Sequence, residues 1–257
     1  MGRFKKFSES SNPVMNEKAY RQAAEGTLDS DMAQQGEAQA RPMTVQGAIN
    51  KSFILFGILL LATGVGFLYP NPLFMWGGAI GGLVVVIITS FKVHWSPITA
   101  PIYAALEGLF VGAVSAVFAS AYEGIIFQAV TLTFGLLFMM LFIYKTGIIK
   151  VTQKFRTGVV MATGAVLLVY VANLVLGFFG INMPFLHDGG WMSIGISLVI
   201  IGIASLNLLL DFDNFEKGEK YGAPEFMEWF SSMGLLITLV WLYIEILRLL
   251  AMLSSNE

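Results

Sequence analysis

The chain of 257 residues contains no cysteine, which excludes disulfides and thiolate chemistry. It is also poor in charge. Only 12% of its residues are Asp, Glu, Lys or Arg, where a soluble domain carries about a quarter. The 15 basic and 17 acidic residues nearly cancel to a net −2, which argues against a nucleic-acid partner. Two histidines, His94 and His187, both lie beside loops and leave little for a metalloenzyme. The phosphate loop Gly-x-x-x-x-Gly-Lys-Ser/Thr is missing, as are His-Glu-x-x-His and Gly-x-Ser-x-Gly. The Gly-x-Gly-Asp of aspartyl membrane proteases does not occur either. These absences are read as a protein that is not an enzyme and carries no resident cofactor; an aspartyl membrane protease, which needs only two carboxylates, stays open as the last-ranked reading.

What is present is apolar surface. Hydrophobic residues make up 56% of the chain and the mean hydropathy is +0.73. A helix needs about 20 apolar residues to cross the hydrocarbon of a bilayer. Seven stretches meet that length or approach it: 52–69, 73–91, 98–120, 124–144, 158–180, 191–210 and 230–253. The expected fold is therefore an all-α polytopic membrane protein, with the lipid bilayer as its first partner. The first two spans are the shortest and are joined by "YPNP", as in a helical hairpin. No span contains a lysine, which excludes a retinal-type Schiff base despite the seven helices.

Lysine and arginine set the expected orientation, because cytoplasmic loops retain them. Fourteen of the 15 fall in the N-terminal segment and in the second, fourth and sixth loops; Arg248 alone does not fit. The N-terminus is thereby placed in the cytoplasm and, after seven spans, the C-terminus outside. Residues 1–42 are rich in Ser, Gln, Glu, Ala and Asn and read as a mostly disordered cytoplasmic tail, with 43–257 as the membrane domain. Within the tail, "NPVMNEKAYRQAAE" could form a short amphipathic surface helix. Without a signal-peptide core in residues 1–51, the first span is expected to serve as the targeting signal.

Three groups of ionisable residues sit at membrane depth, where a charge costs roughly 2.5–3.5 kcal/mol on insertion scales. Glu107 lies about nine residues, or ~13 Å, inside the third span, beside Gly108 and Gly112. That Gly-x-x-x-Gly pair admits another helix closely, so Glu107 should face a helix interface rather than lipid. Asp211 and Asp213 follow the sixth span in "LNLLLDFDNFEKGEK". If the helix stops at Leu210 they are loop acids. If it continues to about Glu216, Asp211 points into the bundle with Asn207 one turn deeper. Glu245 and Arg248 are spaced i,i+3 on the last span, ~24 Å from its basic end. An ion pair near the outer interface, with Arg248 snorkelling, is the favoured reading.

The segments "NPVMNEKAYR", "MTVQGAINK", "ITAPIYAALEGLFVGAVSAVF", "VTQKFRTGVVMATGA", "LLLDFDNFEKG" and "GAPEFMEWFSSMGLLITLVWLYIEILRLL" resemble the Bax inhibitor family, across residues 12–253. They are most similar to a bacterial branch with an extended N-terminal tail. The resemblance implies six helices wrapped around a central C-terminal one, in the inner membrane of a bacterium. It also implies a pH-sensitive calcium leak, in which two aspartates on the sixth and seventh helices share a proton. The first of these matches Asp211 in "LLDF". At the second position an ungapped alignment places Thr238, whereas matching "LYIE" selects Glu245 through a gap that would rotate the rest of the helix. Thr238 and Glu107 lie at similar depths, ~12 and ~13 Å from the basic end. The acid is therefore expected to have moved between helices, with Glu107 pairing with Asp211.

Two carboxylates held together cannot both ionise cheaply, so they titrate as a pair. Calcium prefers oxygen ligands and could replace the shared proton, with Asp213 adding oxygens at the mouth. The expected function is a pH-sensitive passive calcium or cation leak, with Asp211, Glu107, Glu245, Thr238 and Asn207 as candidate pathway residues. The alternative is a regulatory protein that modulates a membrane-protein partner such as a protease.

Overall fold

A computed structural model describes residues 41–179 and 190–255. Nearly all of the N-terminal tail, its amphipathic stretch and His187 lie outside the described residues. Among the described residues, seven helices are long and apolar enough to cross a membrane: α1 (Val45–Leu68), α2 (Pro72–Phe91), α3 (Ser96–Ala121), α4 (Ile125–Thr146), α5 (Gln153–Phe178), α6 (Trp191–Lys220) and α7 (Phe226–Ser254). Beyond them, the described residues hold the 3₁₀ turn Val93–Trp95 and one isolated antiparallel bridge, between Pro42 and Pro224. The protein is an all-α, multi-pass membrane protein.

The helix ends have local causes. The Thr44 side chain caps α1 by accepting from the Gly47 amide. Asn71 does the same for Phe74 in α2, with Pro72 at the first helical position, so "YPNP" is a turn and a helix start at once. Thr152 caps α5 through the Phe155 amide. Gly147 ends α4 and Gly222 sits in the turn after α6, both at positive φ, where a side chain would strain the backbone.

Several helices outrun the expected spans at their basic ends. α1 begins at Val45 rather than residue 52, α5 at Gln153 rather than 158, and α7 at Phe226 rather than 230. The largest difference is α6, which continues past Leu210 to Lys220. At 1.5 Å per residue its 30 residues span ~45 Å, and the hydrocarbon is ~30 Å thick. Its last turns therefore project beyond the apolar layer while remaining helical. Asp211 and Asp213 are helix residues, not loop acids.

The chain divides into two compact units. The first comprises Met1–Ala116 and Leu210–Ile237. Its close approaches run through glycine. A side chain at Gly108 would meet the Leu59 carbonyl oxygen at 2.5 Å, and one at Gly112 would collide with the carbonyl of Thr63, so α1 lies directly on the expected Gly-x-x-x-Gly face of α3. Gly66 of α1 similarly abuts the Leu109 carbonyl, and Gly78 of α2 abuts that of Leu106. In lipid, helix association gains nothing from burying apolar surface and depends on such close packing. Met43, Leu55, Met227, Phe230 and Met233 fill the interior of this unit.

The second unit comprises Val117–Leu209 and Thr238–Glu257. Leu208, Leu209, Leu242, Ile246 and Leu247 are fully buried in it. Phe127 and Trp191 stand out at 77% and 92% exposure, which suits lipid contact and not water. α7 is the most buried helix: 67% of its apolar window is inside the protein, against 50% for α6 and less for every other helix.

Candidate functional site

In the first unit, Asp211 is 2% exposed, about two-thirds of the way along the long α6. Nine residues, two and a half turns, separate it from the end of the helix at Lys220. Counting 20 residues from Trp191 reaches Leu210, so a ~30 Å apolar layer that began at Trp191 would end beside Asp211. A carboxylate in that position is expensive unless its charge is used or compensated. Asp213, two residues on, forms an i,i+4 ion pair with Lys217 at 3.0 Å. A cation that took oxygens from Asp213 would meet the repulsion of that ammonium.

Glu107 is half-buried on α3 and points at α2. Its Oε2 is only 2.7 Å from where a Cβ on Gly82 would stand, so the missing side chain at Gly82 makes room for the carboxylate. Tyr103, one turn earlier on α3, lines the same glycine and is buried. Glu107 thus faces a helix interface.

The second unit holds the other carboxylate. Arg248 Nη2 donates to Glu245 Oε1 at 2.6 Å, closing the i,i+3 ion pair. Ser197 of α6 donates to the same oxygen at 2.7 Å, and the Tyr170 hydroxyl of α5 donates to Oε2 at 2.7 Å. The Arg248 guanidinium lies 5.5 Å from the Tyr170 ring centroid and also reaches Ser197 Oγ at 3.2 Å. Glu245 is 3% exposed. The pair is therefore held inside a three-helix polar network, where the sequence suggests a snorkelling arginine. Asn207 donates to Thr163 Oγ1 of α5 at 2.8 Å, a helix–helix hydrogen bond. Thr238, on α7, is buried.

Several polar residues of the interior, half-buried or buried, carry no sequence signal. Tyr170 and Ser197 lie 75 and 48 residues from Glu245. Arg156, which reads as a loop cation, is 1% exposed in the first turns of α5. Glu228 reads as an acid of the last loop, yet it is 4% exposed in the first turn of α7. Among the described residues no cluster of three or more His, Cys, Asp or Glu side chains could hold a metal ion.

A family model described as "Bax inhibitor 1 like" matches residues 12–255. The chain belongs to that family. No curated protein and no solved structure matches it. The match reaches back through most of the N-terminal tail, so the Bax inhibitor 1 like pattern is not confined to the seven helices.

Proposed function

We propose that the protein is a passive, proton-modulated cation pathway, with calcium as the ion. It would lie in the inner membrane of a bacterium, with its basic helix ends and N-terminus in the cytoplasm. The observation that carries this reading is the burial of Asp211 at the edge of the apolar layer, inside a helix that continues beyond it. Family membership supports it. A buried carboxylate at a membrane mouth can exchange a proton for a hard cation, which takes oxygen ligands.

In this reading Asp211 is the principal acid and Glu107 the second. Glu245 and Asn207 are engaged in helix–helix hydrogen bonds, which makes them packing residues. Deprotonation at higher pH adds negative charge to the pathway. Repulsion then favours its open arrangement and cations are attracted. Flux should therefore rise with pH. No step calls for an energy source.

The test is substitution in purified protein reconstituted in sealed liposomes. Asp211→Asn should give a calcium flux that no longer changes with pH, and Glu107→Gln should displace the pH profile without abolishing it. A profile for Asp211→Asn that superimposes on that of the unsubstituted protein would remove Asp211 from the mechanism.

A further inference from the structure

The N-terminal tail meets the membrane domain at a knot of polar contacts in the first unit. Pro42 and Pro224 face each other in an antiparallel bridge, and the Met43 amide donates to the Ala223 carbonyl at 2.6 Å. The Met43 side chain is 1% exposed, so it is plugged into the interior. Beside it, Glu228 Oε1 accepts from both the amide and the hydroxyl of Thr44, at 2.8 and 3.1 Å. Glu228 Oε2 accepts from the Lys51 ammonium, which also reaches Glu225 at 3.2 Å. The Val45 amide donates to Glu219, on the last turn of α6, at 3.2 Å. Ser232 of α7 donates to the Ala48 carbonyl at 2.8 Å. Gly47 has no side chain where the Glu228 carboxylate lies against it.

These contacts join the start of α1 to the end of α6, the connecting turn and the start of α7. Three of them, from the amide and hydroxyl of Thr44 and the Lys51 ammonium, converge on the Glu228 carboxylate. A buried acid holding three donors from one segment is a shared anchor, because losing it leaves two donors of Thr44 unmet and Lys51 with the exposed Glu225 as its remaining carboxylate. The segment 41–44 is also where about forty residues of tail attach, so a pull on the tail, or a partner docking on it, loads this knot first.

We propose that residues 41–51 form a strap that is fastened to the α6–α7 turn by Glu228, and that unfastening it frees that turn to move. Events on the N-terminal tail would thereby reach α6 and α7. The inference stands on these contacts alone and holds whether or not the protein conducts ions.

The test is hydrogen exchange on the full chain in liposomes. Glu228→Gln keeps the shape of the side chain and removes its charge. It should raise exchange about tenfold or more at Met43, Thr44 and residues 218–228, with α4 unchanged. Two prolines cannot form the hydrogen-bonded kind of antiparallel pair, and the other kind brings Cα atoms to about 4.5 Å in general, within disulfide range. The chain's lack of cysteine makes the Pro42→Cys/Pro224→Cys pair unambiguous. Oxidised in the Glu228→Gln background, that pair should return exchange to the parent level, and reduction should raise it again. The proposal is overturned if Glu228→Gln leaves exchange unchanged, if the disulfide does not reverse the rise, or if the rise spreads evenly through all helices.

Discussion

Glu245 illustrates how a single side chain is made tolerable in an apolar helix. One oxygen takes hydrogen bonds from Arg248 and Ser197, and the other takes one from Tyr170. Such a pair contributes little net stability against an apolar replacement, but breaking it strands a buried charge. Arg248→Met should therefore destabilise the protein by about 3–5 kcal/mol. Glu245→Leu/Arg248→Met should recover most of that loss. Tyr170→Phe removes one interhelical hydrogen bond and should cost only ~1 kcal/mol. Reversible unfolding in mixed detergent and lipid measures all three. If the double variant were no more stable than Arg248→Met, the network would have a role other than mutual compensation. The i,i+3 spacing of the pair is visible in the sequence. Its partners on α5 and α6 are not, because nothing local marks a tyrosine and a serine dozens of residues away.

Among the helices, the glycines separate into two kinds. Gly112 is pressed against the Thr63 carbonyl and Gly108 against that of Leu59, whereas Gly57 and Gly64 on α1 have nothing within 4 Å of a would-be Cβ. Gly112→Ala should push α1 and α3 apart and lower thermal stability. Gly57→Ala should be neutral or stabilising by up to about 1 kcal/mol, through helix propensity. Equal effects at the two positions, measured by thermal unfolding, would mean that α1 and α3 do not meet along this face. The seven spans were legible because lipid demands long apolar runs, and the Gly-x-x-x-Gly of α3 named its packing face. The helix ends were less legible. Hydropathy registers where lipid ends, but a helix stops at its cap, and the polar turns Asp211–Lys220 stay helical beyond the apolar layer. For the same reason Glu228 reads as a loop acid. Only tertiary contact with Thr44 and Lys51, the former 184 residues away, makes it a buried anchor.

For the molecule as a whole, composition excludes disulfides and argues for a membrane-embedded chain, and the Bax inhibitor 1 like match across residues 12–255 places it in a family. The charge distribution supports a cytoplasmic N-terminus as part of the proposed function. The two compact units each contain their own buried carboxylates, Asp211 and Glu228 in the first and Glu245 in the second. Asp211 and Glu228 are both deeply buried near the end of an apolar run, but Glu228 is taken up by Thr44 and Lys51, and the proposed pathway is built on Asp211. The most direct test of that account is calcium entry into sealed liposomes containing the purified, unsubstituted protein, scanned from about pH 5 to about pH 8 without any energy source. The account predicts entry down the calcium gradient that increases with pH. Folded, inserted protein that admitted no calcium at any pH would contradict it and would favour a protein that acts on its neighbours in the membrane.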